Sequence, residues 1–138
     1  MTRYLLDTDT CIYLINKRPW QVQARFEKHP AEQCAISVIT HLELAYGAAK
    51  SREPEQTLAA SRQFLAALDV LEFTFQDAVA AGWQRAELER RGQPIGSYDL
   101  QIAAQALTRD LILVTNNLRE FKRVPGLKLE NWVAAGVN

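Results

Sequence analysis

The fold of this chain is most constrained by a series of short apolar runs that are separated by longer helical segments. The runs at residues 4–6 and 111–114 are uninterrupted, which is typical of strands buried on both faces of a parallel sheet. Less regular runs occupy residues 35–38, 70–73 and 127–130. Because strands that alternate with helices favour a parallel sheet covered on both faces, we predict a three-layer α/β/α fold with about five parallel strands.

The segments between these runs have helical patterns that end at proline or glycine. Breaks occur at Pro19, at Pro54 and over residues 92–96, where G-Q-P-I-G forms a loop. No linker or internal repeat divides the chain, so we expect residues 1–138 to form a single domain that binds ligands at the carboxyl ends of its strands. The predicted helices occupy residues 10–16, 20–28, 40–50, 55–68, 77–91 and 98–109.

Charge and cysteine content exclude several classes of protein. Sixteen Lys and Arg balance sixteen Asp and Glu, so a nucleic-acid site must be built from local basic patches. Cys11 and Cys34 lack metal-binding spacing and are expected to be reduced and buried. No run approaches the roughly 18 apolar residues of a membrane span, and the N-terminal segment is unlike a signal peptide. We therefore expect a cytoplasmic protein that does not contact membranes.

Two acidic residues have unusual positions in the predicted fold, one at the end of a strand and one at a helix position that is expected to be apolar. Asp7 directly follows the first strand, although an N-cap of the next helix explains it equally well. Glu43 interrupts a predicted inward-facing helical stripe, although a Glu at the boundary of such a face can also reach water. That stripe, with the spacing i, i+3, i+4 and i+7, consists of Ile39, Leu42, Glu43 and Tyr46.

A third acid, Asp99, heads the core-facing stripe of the last long helix. The helix dipole favours Asp in a first turn, but it does not explain an acid on the core-facing side. Three acids near one edge of the sheet would repel one another unless a cation lies among them. Oxygen ligands of this kind favour Mg²⁺ or Mn²⁺, so we interpret the three acids as a metal site. The stripe consists of Asp99, Ile102, Ala103, Ala106 and Leu107.

Other site chemistries lack part of their motif. His41 and Glu43 have the spacing of a zinc deaminase signature, but the P-C-x-x-C segment and an H-E-x-x-H motif are both absent. Neither a nucleotide-binding glycine loop nor a G-x-S-x-G segment occurs. A phosphoacceptor receiver domain needs an Asp after its third strand, and residues 70–74 contain none. Two carboxylates would suit a glycosidase, whereas three converging acids on so small a domain favour a metal.

Several segments together resemble the PIN-domain ribonucleases and, more narrowly, the VapC toxins of bacterial toxin–antitoxin pairs. They are L-L-D-T-D at residues 5–9, S-V-I-T-H-L-E-L at residues 37–44, Asp99 at a helix start and L-V-T-N-N at residues 113–117. The segment F-K-R-V-P-G-L at residues 121–127 extends the resemblance over essentially the whole chain. Each motif is short, but all of them in this order are specific.

The resemblance implies a divalent-metal-dependent endoribonuclease with Mg²⁺ or Mn²⁺ as its cofactor. Asp7, Glu43 and Asp99 match the acidic metal-binding positions of the family, with Asp7 as the central ligand. The metal would orient the scissile phosphate and activate a bound water. PIN domains often carry a fourth acid in the segment that corresponds to residues 115–117, which here is T-N-N.

Four further residues are expected to support this site. Glu120, one helical turn beyond Asn117, could replace the missing carboxylate as a catalytic residue, although a solvated acid explains it equally well. Asn117 could bind a metal-bound water, and the Thr115 hydroxyl is expected to bind Asp7 or the phosphate. Asp9 is interpreted as a helix cap that could also support the metal ligands.

RNA binding needs positive charge, because an acidic pocket repels phosphate. The resemblance also implies a homodimer, a VapB-like antitoxin whose Arg neutralises the acidic pocket, and initiator tRNA as the nearest candidate substrate. Apolar helix faces with Tyr46, Phe64 and Trp83 could contribute to that dimer or to an antitoxin groove, although core packing is the favoured expectation for each of these residues. The alternative function is a non-catalytic RNA- or protein-binding module on the same fold. Candidate basic clusters, each of which a solvated helix face or end also explains, are Lys17–Arg18, Arg85, Arg90–Arg91, and Arg119 with Lys122 and Arg123.

Overall fold

The computed structural model describes residues 1–133 and has a five-stranded parallel sheet with helices on both faces, which confirms the predicted fold class. The last five residues of the predicted domain, 134–138, lie outside the described residues. The strands are β1 (Tyr4–Leu6), β2 (Cys34–Ser37), β3 (Asp69–Leu71), β4 (Ile112–Val114) and β5 (Lys128–Glu130). They pair in the order β3-β2-β1-β4-β5.

Helices connect all of these strands. A short 3₁₀ turn, Ala31–Gln33, precedes β2. The α-helices are α1 (Thr8–Asn16), α2 (Trp20–Glu27), α3 (Val38–Lys50), α4 (Pro54–Leu65), α5 (Phe75–Arg90), α6 (Ser97–Thr108) and α7 (Leu118–Phe121). No helix among residues 1–133 has both the length and the apolar character that a bilayer crossing requires.

The central strand β1 is completely buried and supplies side chains to two hydrophobic cores. Tyr4 and Leu6 pack on one face of the sheet, in the core that contains Leu14 of α1. Leu5 packs on the other face, in the core that contains Leu88 of α5 and Leu100 of α6. Because both faces of this strand are covered, its sequence is a continuous apolar run rather than an alternating one.

Side-chain caps start α3 and α5 earlier than the sequence pattern predicted. The Ser37 Oγ accepts a hydrogen bond from the Ile39 N–H at 2.9 Å, so the chain leaves β2 and enters α3 at Val38, which was predicted to be in the strand. Thr74 and Asp77 cap each other's backbone N–H groups and start α5 at Phe75. Helix α4 ends at Leu65, three residues before its predicted end.

Both cysteines are buried and free, as predicted. Burial raises the pKa of Cys34 to about 11 and the pKa of Cys11 well above its usual value. Both side chains therefore remain protonated thiols that pack as small apolar groups in the core around Leu6.

The register of the sheet brings three chain segments to one edge. Leu6 at the end of β1 pairs with Ile36 of β2 and with Val114 of β4. The residues that follow these strands therefore lie side by side at the carboxyl edge, where the sequence predicts the acidic site.

Candidate active site

Asp7 is fixed at the centre of the carboxyl edge, between β1 and α1. Its side chain is buried, and its backbone N–H donates to the Val114 carbonyl at 3.0 Å. Its Oδ1 accepts a hydrogen bond from the Thr10 N–H at 2.8 Å, so Asp7 is also the N-cap of α1. The capping role left open by the sequence is therefore real, and it holds the carboxylate in one orientation.

The environment of Asp7 disfavours its negative charge. Burial raises the pKa of Asp7 from 3.8 to about 6, although hydrogen bonds from the Thr115 side chain and the Thr10 N–H oppose this rise. Thr115 is itself buried, and its Oγ1 accepts a hydrogen bond from the Asn117 N–H at 2.9 Å. These hydrogen bonds compensate the cost of burying the Asp7 charge only in part, so the binding of a nearby cation would stabilise the charged carboxylate.

Glu43 is held next to Asp7 by the first residue of α1. The Thr8 hydroxyl donates to the Glu43 Oε1 at 2.6 Å, and the Thr8 and Thr40 hydroxyl oxygens are 3.1 Å apart. Thr8 directly follows Asp7 in the chain, so this contact couples two carboxylates that are 36 positions apart in the sequence. Sequence reasoning did not identify Thr8, because its partner comes from another element.

The predicted inward face of α3 is partly wrong. Leu42 and Tyr46 are 47% and 62% exposed, so Glu43 lies at the boundary of the buried face and not within it. Compared with the predicted orientation, α3 is rotated about its own axis. As a result, Ile39 meets the core together with a different set of residues, which have the spacing i, i+4 and i+8. That set consists of Thr40, Leu44 and Ala48.

Asp99 lies in the first turn of α6 and heads a stripe that is buried as predicted at Ile102, Ala103 and Ala106. Burial is the largest cause of a rise in the pKa of Asp99 from 3.8 to about 7. Four neighbouring acids raise this pKa further through like-charge repulsion, which places Asp99 among them. They are Glu120, Asp7, Glu43 and Asp9.

Glu120 on α7 is bound by two donors beside Asp99. Its Oε1 accepts from the Gly96 N–H at 2.8 Å, and its Oε2 accepts from the Asn117 Nδ2 at 3.1 Å. The Gly96 N–H is the main cause of a lowered pKa of Glu120. This carboxylate therefore stays charged at pH values at which Asp99 is readily protonated. Sequence reasoning did not identify Gly96, although a glycine before a helix is a signal of close backbone approach.

The capping role predicted for Asp9 is wrong. Asp7 caps α1, and Asp9 is an exposed residue in the first turn of that helix. Its carboxylate faces the same cavity as Asp7, where its charge contributes to the raised pKa values of Asp7 and Asp99. The cap falls on Asp7 because β1 ends at Leu6, one residue before it.

The predicted site residues converge on one small polar cavity of about 230 Å³ at the carboxyl edge. Glu120 and Thr115 do not line this cavity, but each contacts a residue that does. The lining residues are Asp7, Thr8, Asp9, Glu43, Asp99, Asn117 and Phe121.

The donor set fits a hard divalent cation. Among residues 1–133, no three Asp, Glu, His or Cys side chains form a ready-made metal cluster. Mg²⁺ commonly uses one or two carboxylates and keeps several of its waters, so it does not need such a cluster. Carboxylate oxygens without His or Cys favour Mg²⁺ or Mn²⁺ over zinc. The raised pKa values of Asp7 and Asp99 are consistent with a site that is completed by a cation.

The predicted basic clusters differ in their surroundings. Arg85 and Arg90 of α5, and Arg91 at its C-cap, form ion pairs with glutamates of α5. The Arg123 Nη1 donates to the Pro94 carbonyl at 2.8 Å. Four other predicted cations have exposed positions and are better suited to meet phosphate. They are Lys17, Arg18, Arg119 and Lys122.

Comparison with known proteins gives a consistent result. Residues 4–127 match the PIN domain family. The chain is 47% identical to the tRNA(fMet)-specific endonuclease VapC of Salmonella typhimurium (strain LT2), over 96% of this chain and 99% of that protein. It is 45% identical to ribonuclease VapC2 of Haemophilus influenzae, over 96% of this chain and 100% of that protein. A chain in the crystal structure of DNA-bound VapBC from Salmonella typhimurium has a TM-score of 0.90 and 46% identity, over 96% of this chain and 99% of that chain.

Proposed function

Because this chain belongs to the PIN-domain family and, within it, to the VapC ribonucleases, we propose that it is a single-domain, divalent-metal-dependent endoribonuclease that acts as the toxin of a toxin–antitoxin pair. The observation that carries this proposal is the convergence of Asp7, Glu43 and Asp99 on one cavity at the carboxyl edge. These acids come from three separate elements, and their mutual repulsion has no structural benefit in the absence of a cation.

Each acid has a distinct part in the proposed site. Asp7, with its carboxylate oriented by the α1 cap, is the central ligand, and Glu43 and Asp99 complete the ligand set. When bound, Mg²⁺ or Mn²⁺ supplies a Lewis acid for the phosphate and lowers the pKa of a bound water. Glu120 adds the fourth negative charge, and Asn117 orients it by hydrogen bonding. Thr8 keeps Glu43 turned towards Asp7.

We propose a transfer RNA as the substrate, with initiator tRNA as the first candidate. The support is the name of the Salmonella relative, a tRNA(fMet)-specific endonuclease with 47% identity to this chain. Exposed cations at Lys17 and Arg18 and at Arg119 and Lys122 would bind the phosphate backbone outside the acidic cavity.

We propose that a VapB-like antitoxin binds the groove between α1, α3 and α4. The neighbouring solved structures include VapBC complexes, and this groove has a volume of about 420 Å³ with a largely apolar lining. Glu43 lines both the groove and the acidic cavity, so a peptide in the groove can extend a guanidinium to the carboxylates. Apolar lining residues include Ile12, Ile15, Leu44, Ala48 and Ala60.

We also propose that the protein is a homodimer. Trp83 and Tyr46 are 76% and 62% exposed, so the expectation that they pack in the core is wrong, whereas Phe64 is partly buried against Phe26. Large apolar side chains in a row on a surface are typical of protein interfaces. The exposed rows have the spacing i, i+4 and i+8, with Phe75, Val79 and Trp83 on α5 and Val38, Leu42 and Tyr46 on α3.

Cleavage of purified tRNA tests the proposed function directly. We expect the antitoxin-free protein to cut initiator tRNA with Mg²⁺ or Mn²⁺, to lose this activity in EDTA and to regain it when the ion is restored. Mapping of the new RNA ends gives the cleavage site, and elongator tRNAs serve as specificity controls. If the wild-type protein binds RNA but cuts no RNA with either ion, the non-catalytic binding module becomes the better interpretation.

A further inference from the structure

The loop that precedes α6 contributes directly to the acidic site. This loop, residues 91–96, connects α5 to α6 and carries the Gly96 N–H that donates to Glu120 at 2.8 Å. The same glycine precedes Asp99 by three residues, and a methyl group at Gly96 would be 3.7 Å from an oxygen of both Asp99 and Glu120. The position of this loop therefore affects how closely the Asp99 and Glu120 carboxylates approach each other.

Arg123 ties this loop to the other side of the site. It follows α7, one helical turn beyond Glu120, and its Nη1 donates to the Pro94 carbonyl at 2.8 Å. Pro94 is two residues before Gly96, so two hydrogen bonds in parallel join the loop to the α7 region. Most of the loop is exposed. Gly92 and Gln93 are tied to α5 by backbone hydrogen bonds and Ile95 packs against the core, so the bonds at Pro94 and Gly96 add the contacts to the α7 region.

The side chain of Arg123 tethers the loop through an exposed hydrogen bond. It is half-buried, and a backbone carbonyl accepts from it, whereas Lys122 beside it is exposed. A guanidinium can donate to this carbonyl and at the same time place positive charge near Glu120, which contributes to the lowered pKa of that residue. The sequence pattern predicted Arg123 to be part of an RNA-binding basic cluster, whereas in the structure its guanidinium contacts the Pro94 carbonyl.

We propose that Arg123 is a positioning residue for the nuclease site. By holding the Pro94 carbonyl, it keeps the Gly96 N–H on Glu120 and thereby fixes the Glu120 carboxylate beside Asp99. In this role Arg123 acts through the loop and would bind neither the metal nor the reacting phosphate. The inference rests on the proposed function, in which Glu120 supplies the fourth negative charge of the metal site.

Metal binding in the absence of RNA provides the first test. We expect Arg123→Ala to weaken Mn²⁺ binding several-fold, measured by titration of the purified protein with EPR detection of free Mn²⁺. Arg123→Lys, which can still donate to the Pro94 carbonyl, should have intermediate affinity. Lys128→Ala is the matched control, because Lys128 pairs with Asp110 on the surface and should leave Mn²⁺ affinity unchanged. Unchanged affinity in Arg123→Ala overturns the proposal.

Cleavage kinetics separate positioning from phosphate binding. If Arg123 is a positioning residue, Arg123→Ala should lower kcat several-fold with little change in KM. The same substitution should have no further effect on kcat in a Glu120→Gln background. If Arg123 instead binds an RNA phosphate, Arg123→Ala should raise KM, weaken the salt dependence of RNA binding and add fully to the effect of Glu120→Gln. Any of these results overturns the proposal. If the wild-type protein cuts no RNA, the proposed function fails, while the Mn²⁺ titration still decides the role of Arg123.

Discussion

At the scale of single residues, the site combines carboxylates with opposite pKa shifts. Burial and like-charge repulsion raise the pKa of Asp99 to about 7, and burial raises that of Asp7 to about 6. The Gly96 N–H and other donors lower the pKa of Glu120 instead. A divalent cation stabilises the charged form of every one of these acids, so metal binding should lower the raised pKa values of Asp7 and Asp99 and release their protons.

The raised pKa values predict an unusual dependence of stability on pH. The folded protein keeps protons on Asp7 and Asp99 that the unfolded chain has released, so in EDTA the free energy of unfolding should fall as pH rises from about 4 to about 7. Asp7→Asn retains a capping side chain and should reduce this fall, with a gain at pH 8 of up to about 3 kcal/mol for a shift of about two units.

Urea titrations of both proteins at several pH values check this prediction. Asp69→Asn, at an exposed position on the edge strand β3, is the control and should follow the wild type. With Mn²⁺ present, the wild type should gain more stability than Asp7→Asn, which should also have no nuclease activity. A destabilised Asp7→Asn protein in EDTA at pH 8 would mean that Asp7 serves the fold rather than a cation.

At the scale of elements, α6 is anchored at the end opposite to Asp99. The buried Asp77 carboxylate of α5 pairs with the Arg109 guanidinium at 2.7 Å and accepts from the Thr108 hydroxyl at 2.7 Å. Gln105 of the same helix donates to the carbonyls of Leu71, the last residue of β3, and of Glu72, which follows it. These contacts fix the axis of α6 and thereby the position of Asp99 at its first turn.

Removal of the Asp77 charge should be costly for the fold. Burial alone would raise the pKa of Asp77, but the Arg109 guanidinium and the cap hydrogen bonds hold it well below its usual value. Asp77→Asn leaves Arg109 without its ionic partner and should lower the free energy of unfolding by about 3 kcal/mol. Equilibrium unfolding in urea at pH 7 measures this loss. Arg85→Ala breaks an exposed pair on the same helix and should cost less than about 1 kcal/mol, so equal losses would argue against the buried ion pair.

At the scale of the whole molecule, the exposed apolar rows on α3 and α5 are the strongest indication of assembly. Val38, Leu42 and Tyr46 occupy one face of α3, and Phe75, Val79 and Trp83 occupy one face of α5. A two-fold symmetric dimer would bury the same row on both copies.

Substitution within the α5 row tests the dimer. We expect Trp83→Glu to convert a dimer to a monomer, because it places a charge in an apolar interface. Sedimentation velocity at micromolar concentration measures the mass of each form. Trp20→Glu is the matched control, since Trp20 is 71% exposed on α2 and lies outside both rows. A wild-type protein that sediments as a monomer, or a dimer that survives Trp83→Glu, contradicts the proposed interface.

Local patterns in the sequence were sufficient to predict the fold and the identity of the clustered acids. The continuous apolar runs at β1 and β4 predicted buried parallel strands, since strands of this kind are covered on both faces of the sheet. The positions of Asp7 and Glu43 after strand ends, and of Asp99 at a helix start, placed them at one edge, because parallel strands end together.

Only the tertiary structure decided which faces of the helices are covered and which donors hold the acids. The periodicity of α3 fits more than one rotation, so the exposure of Leu42 and Tyr46 depends on what packs against that helix. The Thr8–Glu43 and Gly96–Glu120 hydrogen bonds join residues 35 and 24 positions apart. Such contacts depend on distances between elements, which local propensity does not determine, and the tether at Arg123 is of the same kind.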